Sequence, residues 1–350
     1  MEIRVGVIKG NGIGPEIMEA TLWVLEATGL KFRWVPIAIG DEGVEKYGHP
    51  LPQESVKALK EVKIAIKSPL LVDKFKGRIY CEHEDGSVGI YPSLNNAIRR
   101  ELELFMCPRP IRGVAGISGP YEKLDIHILR EVTEDVYSGI EHMIGDEAAE
   151  CVKLTTRKAA LRAARYAFDY ARRNGRKKVT CVHKANAVSM TDGLFLKCFR
   201  EAAAENPDIP SDDYMVDAAA YYMAKCPEKF DVVVASNQYG DILSDLAAGL
   251  VGSLGLAPGA NIGEGGRIVA EASHGAAPDI ASKGIANPIA LILSGAFLLR
   301  EIGKKSEAKA IEDAVFGLLP EGRICTPELG GTSSTMEVAR LIADRVKTPV

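Results

Sequence analysis

Asp241 and Asp245 stand four residues apart in a segment, 241–252, whose apolar spacing predicts a helix. Side chains at that spacing share one helical face, so both carboxylates project together. They follow a strand-like run at 231–235 and a loop at 236–240. Two chemistries fit the pair. Acids in a first helical turn complement the helix dipole. Carboxylates converging at the end of a strand also suit Mg²⁺ or Mn²⁺, hard cations that take oxygen ligands. Asp217, just after a strand expected at 214–216, offers a third carboxylate. Arg99, Arg109 and Arg130 lie at or near the ends of apolar segments. Three planar guanidinium forks suit a di- or tricarboxylate, although isolated arginines are commonly surface residues. Lys184 follows the strand-like run 179–182, where a lysine can move protons or simply pair with an acid. Tyr137, in the run Glu-Asp-Val-Tyr-Ser-Gly, is either a paired acid or a core aromatic.

Two glycine-rich stretches could receive a flat ligand. The turn Gly10-Asn11-Gly12-Ile13-Gly14-Pro15 follows a strand and opens a helix, as a dinucleotide loop does. Pro15 stands where the third glycine of a Rossmann fingerprint belongs, and no acid follows at the required distance, so the Rossmann assignment fails. A tight strand-to-helix turn remains the other reading. In the stretch 271–288, small residues permit close backbone approach, and His274 and Asn287 are placed to meet an adenine or ribose.

These residues need elements to hold them. Short apolar runs at 3–8, 62–66, 125–129, 179–182, 214–216 and 231–235 alternate with helical patterns, among them 15–29 with Pro15 in its first turn. That alternation predicts an α/β protein with a largely parallel sheet. At 350 residues, 47% hydrophobic and 26% charged, the chain has the composition of a globular protein of two or three domains. A net charge of −4 argues against nucleic acid or an anionic membrane as partner. Uncharged stretches at 246–263 and 284–299 are broken by glycines or by Pro288 and read as buried elements. Seven scattered cysteines without a CxxC pair suit a reducing compartment, and no secretory signal is visible, so a cytoplasmic location is expected. Ten Lys or Arg between 153 and 178, with Asp169 the one acid, read as the solvated face of an amphipathic helix, with an RNA-binding stripe as the other reading.

Six blocks together resemble the β-decarboxylating dehydrogenases of the isocitrate/isopropylmalate dehydrogenase family. They are GNGIGPE (10–16), SLNNAIRRELELF (93–105), REVTEDVYSGIEH (130–142), VHKANAVSMTDGLF (182–195), NQYGDILSDLAAGLVGSLGLAPGANIG (237–263) and HGAAPDIASKGIANP (274–288). The resemblance implies that family's α/β fold, distinct from the Rossmann fold. A large domain of 1–102 plus 250–350 would face a small domain of 103–249 across the active cleft. It implies a homodimer in which Lys184 and Asp217 act across the interface. Asp217, Asp241 and Asp245 would hold Mg²⁺ or Mn²⁺. Ser93, Asn95, Arg99, Arg109, Arg130 and Asn186 would bind the substrate. Lys184 would take the hydroxyl proton and Tyr137 would protonate the enol. Ile13, His274, Gly275, Ala277, Asp279, Ile280 and Asn287 would bind the cofactor.

Within that resemblance, Ser93, Asn95 and Arg99 fit the pattern of isocitrate-specific members, whose polar groups meet a γ-carboxylate. Asp279-Ile280 matches the NAD pattern, since a carboxylate accepts ribose hydroxyls and repels a 2′-phosphate. The expectation is metal-dependent oxidative decarboxylation of isocitrate to 2-oxoglutarate with NAD. Homoisocitrate or 3-isopropylmalate is the alternative substrate. A non-catalytic regulatory subunit of a hetero-oligomer is the alternative class, and the presence of Tyr137, Lys184, Asp217, Asp241 and Asp245 counts against it.

Overall fold

The computed structural model of the protein describes residues 2–72, 75, 77–83, 85–117 and 119–347. The chain divides into two compact units. One comprises Met1–Glu103, Arg112–Lys123 and Ala248–Val350, the other Leu104–Ile111 and Leu124–Ala247.

The first unit opens with β1 (Ile3–Ile8), α1 (Gly14–Glu26), β2 (Phe32–Pro36), α2 (Asp41–Tyr47), α3 (Gln53–Val62) and β3 (Ile64–Lys67). A hairpin of β4 (Ile79–Glu82) and β5 (Val88–Tyr91) leads into α4 (Leu94–Glu101), which Ser93 caps by accepting the Asn96 N–H. The second unit contains β6 (Leu104–Arg112), β7 (Asp125–Glu131), a hairpin of β8 (Glu141–Ile144) and β9 (Ala148–Cys151), and α5 (Arg157–Arg173). It continues with β10 (Val179–His183), α6 (Thr191–Glu205), β11 (Ser211–Met215), α7 (Val216–Lys225), β12 (Val232–Ala235) and α8 (Asn237–Leu250). The chain then returns to the first unit with β13 (Pro258–Gly263), β14 (Ile268–Ala272), α9 (Ile289–Glu301), α10 (Lys305–Leu318) and α11 (Thr335–Lys347).

In the first unit the strands run in the order β13-β14-β3-β1-β2, in the second β11-β10-β12-β7-β6. The pairs β1–β2, β1–β3 and β3–β14 are parallel, as are β10–β11, β10–β12 and β12–β7. β13 runs antiparallel to β14. Parallel strands bring their C-terminal ends to one edge of a sheet, and in each unit the loops that matter leave from that edge. The uncharged stretch 284–299 becomes α9, every residue of which is buried from Ile289 to Leu299. Pro288 is its N-cap rather than an interruption, because a proline's missing N–H costs nothing there. Among the described residues no helix is long and apolar enough to cross a membrane.

Several expected boundaries move. The helix expected at 15–29 ends at Glu26, and Gly29 takes a left-handed turn at φ 78°. Val62 closes α3 and Lys63, at φ 66°, turns the chain into β3. Val216 starts α7 directly after β11, so Asp217 stands just beyond a strand, as expected, and in a first helical turn. Residues 112–123 group with the first unit rather than with the middle of the chain. Arg112 stacks over Phe316, and a Cβ on Gly119 would lie 2.7 Å from the Val251 backbone. The arginines of α5 pair with acids of and beyond α6: Arg157 with Glu201, Arg165 with Glu205 and Arg172 with Asp208. Its Ala164, Phe168 and Ala171 are buried, as an amphipathic helix requires.

Candidate active site

In the second unit the parallel register aligns Arg130 of β7 with Ala235 of β12, Ala235 with Val182 of β10, and Val182 with Tyr214 of β11. Arg130, the β12–α8 connection, Lys184 and the start of α7 therefore leave the sheet on the same edge. α8 then presents Asp241 and Asp245 one turn apart, with the intervening Ser244 facing inward.

The two arginines are buried and held by neighbours. Arg130 donates from Nε to Asn237 at 2.8 Å and forms a very short ion pair with Asp241. Gly240 allows this approach, since a Cβ there would fall 2.7 Å from the Arg130 Cβ. Arg109 donates to the Ser244 hydroxyl at 2.6 Å and lies 3.4 Å from both Asp241 and Asp245. Tyr137 donates its hydroxyl to Asp241 at 3.4 Å, and the Arg130 guanidinium lies 5.5 Å from its ring centre. Burial, and then the charge of Asp241, push the Tyr137 pKa up, so the phenol keeps its proton at neutral pH. Burial raises the Asp245 carboxyl; Arg109 opposes this and Asp241 adds to it. Two carboxylates that offer oxygen donors from one face of α8 fit a divalent cation.

Lys184 and Asp217 form a separate pair at 2.7 Å. The Lys184 hydrogen bond holds the Asp217 carboxyl below its ordinary range. The structure thus brings Arg109, Arg130, Tyr137, Asp241 and Asp245 together, and Lys184 with Asp217, without joining the two sets through a contact within one chain. Among the described residues no three His, Cys, Asp or Glu side chains form a metal-holding group. Asn186, on the turn after Lys184, is exposed.

In the first unit Ile8 pairs with Lys67, and Lys67 with Glu271. The turn at 10–14 and the segment 273–287 consequently emerge side by side. The Ile13 N–H donates to the Ala276 carbonyl at 2.9 Å, and Glu16 accepts the N–H groups of Gly284 and Ala286. Gly12, at φ 60°, has no room for a side chain, because a Cβ would lie 2.0 Å from the Ala276 oxygen. The glycines of this turn thus serve loop-on-loop packing. A cavity of about 500 Å³ opens beside it, lined by Lys9, Gly12, Pro15, Glu16 and Ser282 among others. His274 Nε2 and Asn287 Nδ2 are buried without hydrogen-bond partners, which fits a bound ligand with polar edges. Burial lowers the His274 pKa, so the imidazole is neutral. Asp279 is exposed, Gly275 exposed, and Ala277 and Ile280 are half-buried; Ala277 adopts a left-handed φ of 37°.

The helix α4 supplies Ser93, Asn95 and Arg99. Ser93 is exposed, and the Asn95 Oδ1 is buried without a partner. Arg99 is buried and already engaged: Nε donates to Asn261 at 2.9 Å and a terminal nitrogen to Glu271 at 3.3 Å. Lys67 meets the other Glu271 oxygen at 2.5 Å. Sequence reasoning missed Lys67, Asn237, Ser244, Asn261 and Glu271, which orient the arginines. Asn237 and Ser244 carry a local signal, since they stand four before and three after Asp241 and flank its face of α8.

The family described as isocitrate/isopropylmalate dehydrogenase matches residues 4–342. A mitochondrial NAD isocitrate dehydrogenase catalytic subunit of Arabidopsis thaliana is 41% identical over 98% of this chain and 88% of its own length. The 3-isopropylmalate dehydrogenase of Archaeoglobus fulgidus is 45% identical over 97% of this chain and 98% of its own. Among solved structures, the isocitrate dehydrogenase of Methylococcus capsulatus superposes with a TM-score of 0.91 at 44% identity, covering 99% of both chains. The chain belongs to the isocitrate/isopropylmalate dehydrogenase family.

Proposed function

We propose that the protein oxidises and decarboxylates isocitrate to 2-oxoglutarate and CO₂ with NAD as acceptor. The observation that carries this reading is the meeting of Arg109, Arg130 and Tyr137 on the Asp241 carboxylate. Two fixed cations, a protonated phenol and oxygen donors are what an anionic hydroxy acid needs for loss of CO₂ and reprotonation. Support for isocitrate over isopropylmalate comes from Ser93 and Asn95, whose hydroxyl and amide N–H groups can donate to a carboxylate. Such groups match a polar third substituent and would be left unpaired by an isopropyl group. Relatives of both substrate classes lie at comparable identity, so overall similarity does not choose between them.

In this reading Arg109 and Arg130 hold the carboxylates, Ser93, Asn95 and Asn186 complete the substrate site, and Arg99 adds its charge while bound to Asn261 and Glu271. Lys184 takes the C2 hydroxyl proton as hydride leaves C2. Carbon dioxide then departs from C3, and Tyr137 gives its proton to C3 of the resulting enol. Asp217, Asp241 and Asp245 would hold Mg²⁺ or Mn²⁺, which would supply Lewis-acid stabilisation of developing negative charge, and NAD would be the hydride acceptor. Ile13, His274, Gly275, Ala277, Asp279, Ile280 and Asn287 receive the dinucleotide.

The reading includes a homodimer. Lys184 pairs with Asp217, and among the described residues no hydrogen bond or ion pair joins it to the Asp241 cluster of its own chain. A two-stranded hairpin is marginal alone, yet all of β8 and β9 is exposed, including Met143 at 61%. Ile242, one residue after Asp241, is 59% exposed. A second copy covering these surfaces would bring its Lys184 and Asp217 to the Asp241 cluster.

The test crosses isocitrate, homoisocitrate, 3-isopropylmalate and tartrate with NAD and NADP, with and without EDTA. Isocitrate with NAD should give the highest kcat/KM, and a tenfold advantage for isopropylmalate would overturn the substrate. Refolding Lys184→Met with Asp241→Asn chains tests the shared site. Hybrid dimers then contain one intact site, so about a quarter of wild-type activity should return. No recovery would mean each chain carries its whole site.

A further inference from the structure

Outside the residues so far given roles, one buried cation pairs with two carboxylates that grip the segments next to Tyr137, Lys184 and Asp241. Lys153 lies between β9 and α5 with its side chain mostly buried. Its ammonium is 2.8 Å from Asp192 Oδ1, 3.4 Å from Asp135 Oδ1, and 4.1 Å from the centre of the Tyr239 ring. Both carboxylates are 2% exposed, and each also accepts backbone N–H groups. Asp192 accepts the Lys184 N–H at 2.7 Å. Asp135 accepts the Val136 N–H at 2.8 Å, one residue before Tyr137, and the Gln238 N–H at 3.0 Å, three before Asp241. Asp135 also bears a left-handed φ of 75°, which a non-glycine residue keeps only under restraint.

We propose that Lys153 is a positioning residue, whose single ammonium fixes the places of Tyr137, Lys184 and the start of α8 relative to one another. The assignment of chemical roles to Tyr137 and Lys184 rests on the functional reading above; the coupling itself does not. Two buried carboxylates need a cation between them, and removing it leaves buried charge uncompensated. Burial works against the Lys153 charge, but Asp192 and Asp135 outweigh it and raise the pKa, so the ammonium persists across the working pH range. The carboxylates would then separate or rearrange, and the three backbone segments they grip would move with them. Arg109 and Arg130 stand on the sheet strands β6 and β7, and Arg109 is held by Ser244, about two turns into α8. Chemistry should therefore suffer while binding of the acid persists.

The test uses the full-length protein and Lys153→Met, with two independent measurements. Backbone amide exchange should accelerate at least tenfold in peptides carrying Val136, Lys184 and Gln238, while those of α9 stay unchanged. Turnover should fall about a hundredfold, the cost typical of a small misplacement of reacting groups, with KM for the acid changed less than about threefold. Asp192→Asn keeps an acceptor for the Lys184 N–H and evens the charge. Combined with Lys153→Met it should recover part of the lost turnover, a non-additivity that a merely weakened fold would not produce. Wild-type kcat in Lys153→Met, exchange raised uniformly across the chain, or a rise confined to one of the three segments would each overturn the proposal. If Lys153→Met does not fold, Asp192→Asn alone, which keeps the acceptor but loses the charge that Lys153 grips, must speed exchange at Lys184, and its failure to do so has the same force. If the wild-type enzyme oxidises none of the four acids, the functional reading fails, and the exchange measurement still decides the coupling.

Discussion

The edge of the second unit that bears Arg109, Arg130, Tyr137, Asp241 and Asp245 is built of charged side chains. The edge of the first unit that bears the 10–14 turn and the 273–287 segment is built mainly of backbone. Both are C-terminal edges of parallel strands. On the charged edge the groups hold one another, as Arg109 does by reaching Ser244, Asp241 and Asp245 together. On the other, glycines allow two loops to touch, and polar atoms of His274 and Asn287 are left without partners. The first arrangement fixes charge where charge must develop; the second leaves a shape with open hydrogen-bonding sites. Substitutions should therefore damage turnover on one edge and cofactor affinity or choice on the other.

The largest effect is expected from Asp241→Asn. It removes the charge that Arg130, Arg109 and Tyr137 share, at nearly constant shape. kcat/KM for isocitrate should fall about a thousandfold, in the range for loss of one preorganised electrostatic group. EDTA should silence the wild type reversibly, with Mg²⁺ or Mn²⁺ restoring it. A fully active Asp241→Asn enzyme would end the comparison, since the charged edge would then be scaffolding.

Gly12→Ala tests the opposite edge. The added Cβ would lie 2.0 Å from the Ala276 oxygen at a φ of 60°, so both loops must part. KM for NAD should rise about tenfold or more, since left-handed backbone costs an ordinary residue roughly 1–2 kcal/mol before the clash is counted. kcat at saturating NAD should change far less. A fall in kcat equal to that of Asp241→Asn would erase the distinction between the edges.

A smaller effect concerns cofactor choice. Asp279 is exposed and Ile280 half-buried beside the same segment. The proposed NAD preference is at least about tenfold, because like charges near the ribose oppose a 2′-phosphate even after screening. Asp279→Lys with Ile280→Tyr should shift the NAD to NADP ratio of kcat/KM toward NADP by about that factor. An unchanged ratio would show that Asp279 does not face the ribose.

What could be read from the sequence follows from range. The strand Val232–Ala235 and the one-turn spacing of Asp241 and Asp245 are local patterns, and the structure contains both. The failure of the Rossmann spacing at Pro15 was also legible, since it depends on six adjacent residues. What occupies the space above Gly12 was not, because Ala276 lies far along the chain and no local pattern names it. Arg99 shows the same limit. Its position suggests an open anion clamp, but its guanidinium meets Asn261 and Glu271, which only the return of the chain as β13 and β14 supplies. Lys153 gave no signal at all in a stretch crowded with other basic residues.

Glu271 offers the finest test, because it is a charged group buried with Lys67 and Arg99 in an edge made mainly of backbone. Burial alone would push its carboxyl up. Lys67 and then Arg99, with a hydrogen bond from Asn261, overcome this and hold it well below the usual carboxylate range. A depressed folded pKa has a definite sign. The stabilisation is complete above the unfolded value of about 4.3 and is lost as pH falls from there toward the folded value, because the unfolded chain takes up the proton first. One such group changes stability by at most about 1.4 kcal/mol per pH unit. Urea unfolding at pH 7, 5 and 3.5 should show wild type and Glu271→Gln keeping a constant difference between the first two values. Between pH 5 and 3.5 the gap should narrow by about 1 kcal/mol, since only the wild type has this carboxylate to lose. Other acids titrate in both proteins and cancel in the difference. Parallel curves throughout would mean that Lys67 and Arg99 do not depress Glu271, and that this edge carries no charge-dependent stability of its own.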